Sequence, residues 1–225
     1  MKSFLVLLAG LMLFSTVIFA SDFDAAIETV TPVENSPPNV PDSVLINAFP
    51  SPDGATRGLA FDGTYLWSAD LGDGNSQNGT KIYKLDPNTG AIINSYSSPG
   101  TQAFGLAFDG TYLWHTNLNG QTIYQIDPTT MTLVNSFTIS CGMLFDLAWD
   151  GNYLWAAISG DLILKIDVNT QSVVDTVIAN YTTPNVNPMG LTFVPVNNGQ
   201  IWAGDGNYGS NYINQWDFSS STWIN

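Results

Sequence analysis

Residues 61–67 read FDGTYLW, residues 108–114 read FDGTYLW again, and residues 149–155 read WDGNYLW. A heptapeptide kept this closely is either a chemical element in several copies or a structural part reused. Its surroundings decide between the two, because they repeat as well. GLAFDG (58–63), GLAFDG (105–110), DLAWDG (146–151) and GLTFVP (190–195) open each copy. YLWSAD (65–70), YLWHTN (112–117), YLWAAI (153–158) and QIWAGD (200–205) follow. Next come KIYKLDPNTG (81–90), TIYQIDPTT (122–130), LILKIDVNT (162–170) and YINQWDFSS (212–220). AIINSY (91–96), TLVNSF (132–137), SVVDTV (172–177) and TWIN (222–225) close the four copies.

These pieces are short, rich in β-branched and aromatic residues, and bounded by Gly, Pro, Asn and Asp, which predicts strands. No helical period occurs after the N-terminal apolar run. Four strands in roughly 40–45 residues match one blade of a β-propeller. The predicted fold is therefore all-β, a β-propeller of four-stranded antiparallel blades at about 57–96, 104–137, 145–178 and 189–225. VLINAF (44–49) reads as an extra outer strand. Four repeats fit either a four-bladed ring, closed or nearly closed with help from 44–49, or part of a longer five- to seven-bladed propeller, and the abrupt end of the last blade at TWIN favours the second. Each turn has a mechanism: Asp-Gly in FDGTY supplies residues that tolerate positive φ, and Pro in LDPNTG presets the second turn position.

The segment preceding the repeats divides in two. Residues 1–20, MKSFLVLLAGLMLFSTVIFA, have one Lys, a long apolar run and a small residue at the end. That pattern predicts a cleaved signal peptide, with a membrane helix as the alternative. Residues 21–42 are rich in Pro, Asn and Ser and read as a spacer; the domain follows over 43–225. The chain holds 5 Lys and Arg against 19 acids, a formal charge of -14. A nucleic acid or an anionic membrane needs clustered cations and is not an expected partner. Cys141 is the only Cys, so no internal disulfide is possible, and a buried small apolar role is expected for it.

The chain resembles the secreted bacterial β-propellers built from GLAFDGTYLW…IYKLDPNTG blades, over residues 44–225. Kindred groups are YVTN-type propellers, streptogramin lyases, regucalcin-like gluconolactonases and plant-type glutaminyl cyclases. The resemblance implies that the FDGTY and LDPNTG turns lie on one face of the disc and the irregular loops on the other, around the channel mouth where ligands bind. It thus makes Asp62, Asp109, Asp150, Asp86, Asp127, Asp167 and Asp217 structural. It also implies Glu at the active sites of the enzymes, whereas Glu28 and Glu34 are the only Glu residues here and both precede the repeats. No catalytic residue carries over.

Departures from the repeat mark the candidate site. Arg57 stands where the other copies have Phe104, Phe145 and Met189; His115 where they have Ser68, Ala156 and Ala203; Asp146 where they have Gly58, Gly105 and Gly190. Together with Asn117, Asp205 and Asn207 they could line a polar pocket in which Arg57 holds an anionic group and His115 moves a proton. The alternative is an Arg57–Asp146 ion pair and a hydrogen-bonded structural His. Asp70, Asp73 and Asn75 in DLGDGN read either as a calcium loop or as a plain Asn/Gly-rich turn. Phe104, Tyr181 and Tyr208 are loop aromatics that either stack on a sugar or peptide or pack locally. The expected function is an exported, non-catalytic propeller binding a glycan, peptide or protein, with calcium as a candidate stabilising cation. The competing expectation is a lactonase, lyase or glutaminyl cyclase type of enzyme with a divergent site.

Overall fold

The computed structural model describes residues 48–71, 79–179, 187–195, 199–205, 213–217 and 222–224; side chains of 205, 214, 217 and 222–224 are excepted. Its sixteen strands fall at the sixteen predicted pieces. Blade 1 comprises β1 (Thr56–Phe61), β2 (Leu66–Asp70), β3 (Lys81–Leu85) and β4 (Ile92–Ser97). Blade 2 comprises β5 (Ala103–Phe108), β6 (Leu113–Asn117), β7 (Thr122–Asp127) and β8 (Thr132–Thr138). β9 (Leu144–Trp149), β10 (Leu154–Ile158), β11 (Leu162–Asp167) and β12 (Ser172–Ile178) form blade 3. β13 (Pro188–Val194), β14 (Gln200–Asp205), β15 (Ile213–Asp217) and β16 (Thr222–Ile224) form blade 4.

Each blade is an antiparallel meander in chain order, so the chain is a four-bladed β-propeller without helices among the described residues. β1 packs on β5, β5 on β9, and β9 on β13, while among the described residues no comparable contact joins β13 to β1. The four blades therefore follow one another as an arc. The candidate signal peptide and spacer lie outside the described residues, as do 44–47 of the predicted leading strand; 48–50 carry no strand.

The recurrent heptapeptide closes the β1–β2 type of hairpin by one device. Asp62 Oδ1 accepts from the amides of Thr64 (2.8 Å) and Tyr65 (2.6 Å), while its Oδ2 accepts from the Trp67 indole Nε1–H at 2.8 Å. Asp109 and Asp150 do the same for Trp114 and Trp155, both at 2.7 Å. One carboxylate thus shapes the turn and fixes the ring five residues on. The rings are buried between blades, each worth about 1.5–3 kcal/mol from apolar burial. Gly63, Gly110 and Gly151 sit at φ 93°, 98° and 99°, a region that L residues avoid. Blade 4 lacks the Asp: Val194 stands in its place, and Trp202 Nε1 donates to Gln200 Oε1 at 3.3 Å instead.

Burial runs through the inner strands of the middle blades rather than alternating, because both faces of those blades meet a neighbour, whereas the outer strands β4, β8 and β12 are largely exposed. β6, β9 and β10 are nearly buried from end to end. Ala60, Trp67, Ala69 and Ile82 of blade 1 meet Leu106, Leu113 and Ile126 of blade 2, and the next two junctions repeat the pattern. Along the axis the inner strands approach so closely that side chains are excluded. A Cβ on Gly58 would stand 2.3 Å from the Phe104 carbonyl oxygen, and one on Gly105 2.6 Å from the Asp146 Cα.

Candidate functional site

A register shift recurs in every inner strand, between Thr56 and Gly58, Ala103 and Leu106, Leu144 and Leu147, and Pro188 and Gly190. Arg57, Phe104, Phe145 and Met189 all sit at this bulge. Their departure from a strict strand pattern is therefore a feature of the backbone, because a bulge turns a side chain out of the regular alternation. Phe104 is buried, packs edge-on against Phe145 at 6.0 Å, and carries the Arg57 guanidinium over its ring at 5.6 Å. It is a core residue, correcting its expectation as a loop aromatic; Tyr181 and Tyr208 lie outside the described residues.

Arg57 is half-buried. Burial pulls its pKa down from the ordinary value, and the Asp70 carboxylate pushes it back up. The carboxylate acting on Arg57 is thus that of Asp70 rather than Asp146. Asp70 itself is fully buried at the end of β2. Its Oδ2 accepts from the Ser51 hydroxyl and the Asp53 amide, both at 3.2 Å. Nearby, Tyr83 Oη donates to Asp53 Oδ2 at 3.1 Å, and burial together with that carboxylate raises the phenol to about 12.

Asn117, at the position of Asp70 in blade 2, plays the same part. Its Oδ1 accepts from the Gln102 amide at 2.9 Å, and the side chain fills the space between Gly100 and Gly120. In blade 3 the role passes one residue along to Ser159, whose Oγ accepts from the Met143 amide at 3.1 Å. In blades 1–3 the end of the second strand therefore anchors the loop leading into its own first strand. Asp205 lies at the corresponding place, paired with Pro188 in the β13–β14 ladder; its side chain lies outside the described residues. Asn207, Asp73 and Asn75 lie outside them too. Among the described residues no three His, Cys, Asp or Glu converge as a metal site would require.

His115 lies inside the junction of blades 1 and 2, not at the mouth. It is fully buried and stacks on Tyr124 with ring centroids 6.0 Å apart. Its Nδ1 stands 3.1 Å from the Gly105 carbonyl and its Nε2 2.9 Å from Ser98 Oγ. A carbonyl can only accept, so the proton is on Nδ1, and Nε2 accepts from the Ser98 hydroxyl. That hydroxyl also accepts the Gly100 amide at 3.1 Å. Burial pulls the imidazole down to about 4, so it is neutral at pH 7.

Asp146 is the third departure. Gly58 and Gly105 let neighbouring inner strands touch directly; at the next junction a buried carboxylate crosses the gap, and its Oδ2 accepts from the Leu191 amide of blade 4 at 2.8 Å. The other oxygen has no hydrogen-bond partner, and the Leu147 and Leu106 amides, like that of Leu191, favour the charged form. Burial outweighs all three amides and pushes the carboxyl up to about 7.

The loops at this end of the blades are fastened to one another by backbone bonds. Leu71 N donates to Ala55 O, Leu118 N to Gln102 O, Ile139 N to Gln121 O, Leu144 N to Leu118 O and Ser159 N to Met143 O, at 2.9–3.1 Å. The side chains of Asn119 and Gln121 add bonds to Gln102 and to the Cys141 carbonyl. Asn119, Gln121 and Met143 remain exposed. Cys141 is half-buried against the blade 2–blade 3 core, and burial raises its thiol pKa.

Arg57, His115 and Asp146 thus do not share a pocket; each is tied to a different bulge or blade junction. Of the partners that matter most, the Leu191 amide carries no individual signal in the sequence. Ser51 and Ser98 do recur in SPD and SPG ahead of their first strands, which is the visible trace of this anchoring.

Fold and site together define a repeat β-propeller whose recurrent carboxylates build hairpins and whose irregular polar residues fasten loops and blades. The chain belongs to the DUF6923 family, described as a repeat of unknown function, whose model matches residues 98–217. Among curated proteins none matches. Among solved structures it is similar to glutaminyl cyclase of Myxococcus xanthus, at 19% identity and TM-score 0.54 over 67% of each chain. It is also similar to hydrazine synthase of Kuenenia stuttgartiensis (16%, TM-score 0.55, 81% of this chain and 51% of that one). The WD40 repeats of RRP9 are a third likeness (16%, TM-score 0.53, 76% and 50%). The chain spans about half the length of the last two. At these identities the likeness is one of fold, shared by enzymes and non-enzymes.

Proposed function

We propose that this chain is an exported, non-catalytic β-propeller that binds a glycan, a peptide or another protein through the fastened loops at the mouth end of its blades. The observation that carries it is the state of His115. The only imidazole in the chain is sealed between blades with both nitrogens engaged, so it is unavailable to a substrate. Asp70 and Asp146 are likewise buried and committed to backbone amides. The glutaminyl cyclase likeness brings no activity with it, since no Glu follows residue 34. In favour of binding, a surface whose loops are pre-fastened loses little further freedom when a ligand arrives. Export is proposed from the form of residues 1–20.

The test has two arms. Lactone, streptogramin and N-terminal-Gln substrates are expected to show no turnover; turnover abolished by His115→Gln would overturn the non-enzyme reading. A labelled full chain is then applied to glycan and peptide arrays. Binding that falls in the Asn119→Ala, Gln121→Ala double variant supports the mouth-end surface. A ligand bound equally well by that variant removes it.

A further inference from the structure

The contact between blades is one interface made three times. A blade presents the face bearing its Trp, and its successor presents the face bearing its recurrent Leu. Equivalent residues should therefore be equally buried in every copy, and two positions break the rule. Ile82, Ile123 and Ile163 are 0%, 0% and 1% exposed, while Ile213, their counterpart in β15, is 54% exposed. Leu106, Leu147 and Leu191 are 1%, 2% and 3% exposed, while Leu59 in β1 is 39% exposed. Trp202, on the same face as Ile213, is half-buried where the other three blade Trp residues are sealed. The arc thus ends in the Trp-bearing half of its own interface on blade 4 and in the Leu-bearing half on blade 1.

We propose that a second copy of this chain covers these faces, with blade 4 of one copy packing on blade 1 of the other. Three interfaces within the chain provide the template, and each copy carries both complementary halves. Copies of a chain that bears -14 repel one another at long range, so the contact rests on the apolar pairing of these two faces. The contact is head-to-tail. Two copies make it twice if the rotation closes, and extend into longer assemblies if it does not.

Sedimentation of the full chain over a wide concentration range tests this. Association that grows with concentration, and strengthens with added salt as repulsion is screened, is the expected result. A chain that stays monomeric throughout overturns the proposal. Leu59→Lys and Ile213→Lys each place a charge at one end of a surface already exposed in the single chain, and each should reduce association. Their equimolar mixture decides the geometry. Leu59→Lys keeps an intact blade 4 and Ile213→Lys an intact blade 1, so the two should form a one-to-one complex that neither forms alone. A mixture no more associated than its components overturns the head-to-tail contact.

Discussion

Replacing Asp146 with Asn changes one atom and removes one titration. Its carboxyl, buried between blades 3 and 4, holds the Leu191 amide through Oδ2 and leaves Oδ1 without a hydrogen bond. Burial raises its pKa from 3.8 to about 7. The native state therefore keeps the proton more tightly than the unfolded chain does. The resulting stabilisation is fully present below pH 3.8 and is lost as pH rises through about 7. At 1.36 kcal/mol per pH unit, the interval amounts to about 4 kcal/mol. An Asn side chain accepts from Leu191 as Asp does and cannot ionise. Urea unfolding of the two proteins from about pH 4 to about pH 8 is the assay, and the observable is the difference between their stabilities. That difference should move in favour of the Asp146→Asn variant by about 4 kcal/mol across the range, roughly 8–16 °C in Tm for a chain of this size. The difference is needed because His115 acts the opposite way. Its pKa falls from 6.5 to about 4 on burial, so its stabilisation is present above 6.5 and is lost as pH falls through about 4, a change of about 3 kcal/mol. In the native protein the two trends oppose each other between these limits. A difference that is flat in pH, or that moves against the Asn variant as pH rises, would refute the burial argument.

Other outcomes follow from single contacts. Asp109→Ala removes the acceptor of two turn amides and of the Trp114 indole at once, and should cost about 2–4 kcal/mol in urea unfolding, since a buried indole N–H is left without its partner. Gly105→Ala drives a Cβ to 2.6 Å from the Asp146 Cα; a loss of more than about 2 kcal/mol is expected, because backbone on both sides must move. Gln171 is exposed at φ 55°, where blade 1 has Gly90 at φ 67°, so Gln171→Gly should raise Tm slightly, by relief of about 1–2 kcal/mol of left-handed strain less about 0.5–1 kcal/mol of unfolded-state entropy. Millimolar calcium should leave the melting temperature unchanged, because the Asp70 carboxylate is already satisfied by Ser51 and Asp53; a rise reversed by chelator would show otherwise.

The blade was legible in the sequence because it is built from local chemistry repeated. Asp62 signals its turn through its neighbour Gly63, and Trp67 signals its burial by recurring at one offset, so turn type, strand positions and the four repeats can all be read from the spacing. The same repetition made Arg57, His115 and Asp146 visible as departures. What it could not convey is the reason for each departure, since every reason lies across a blade junction. His115 is explained by Ser98, at the far end of the preceding blade's outer strand, and by the carbonyl of Gly105. Asp146 is explained by an amide 45 residues away. Arg57 is explained by a bulge that places it over Phe104. A residue that breaks a repeat attracts a functional interpretation, but in a propeller it is equally a place where one junction is built differently from the rest. Burial separates the two cases. A group that serves a ligand must reach solvent, whereas His115 and Asp146 are sealed and the exposed departures are instead Leu59 and Ile213, which keep the residue types of the repeat and lose only its neighbours.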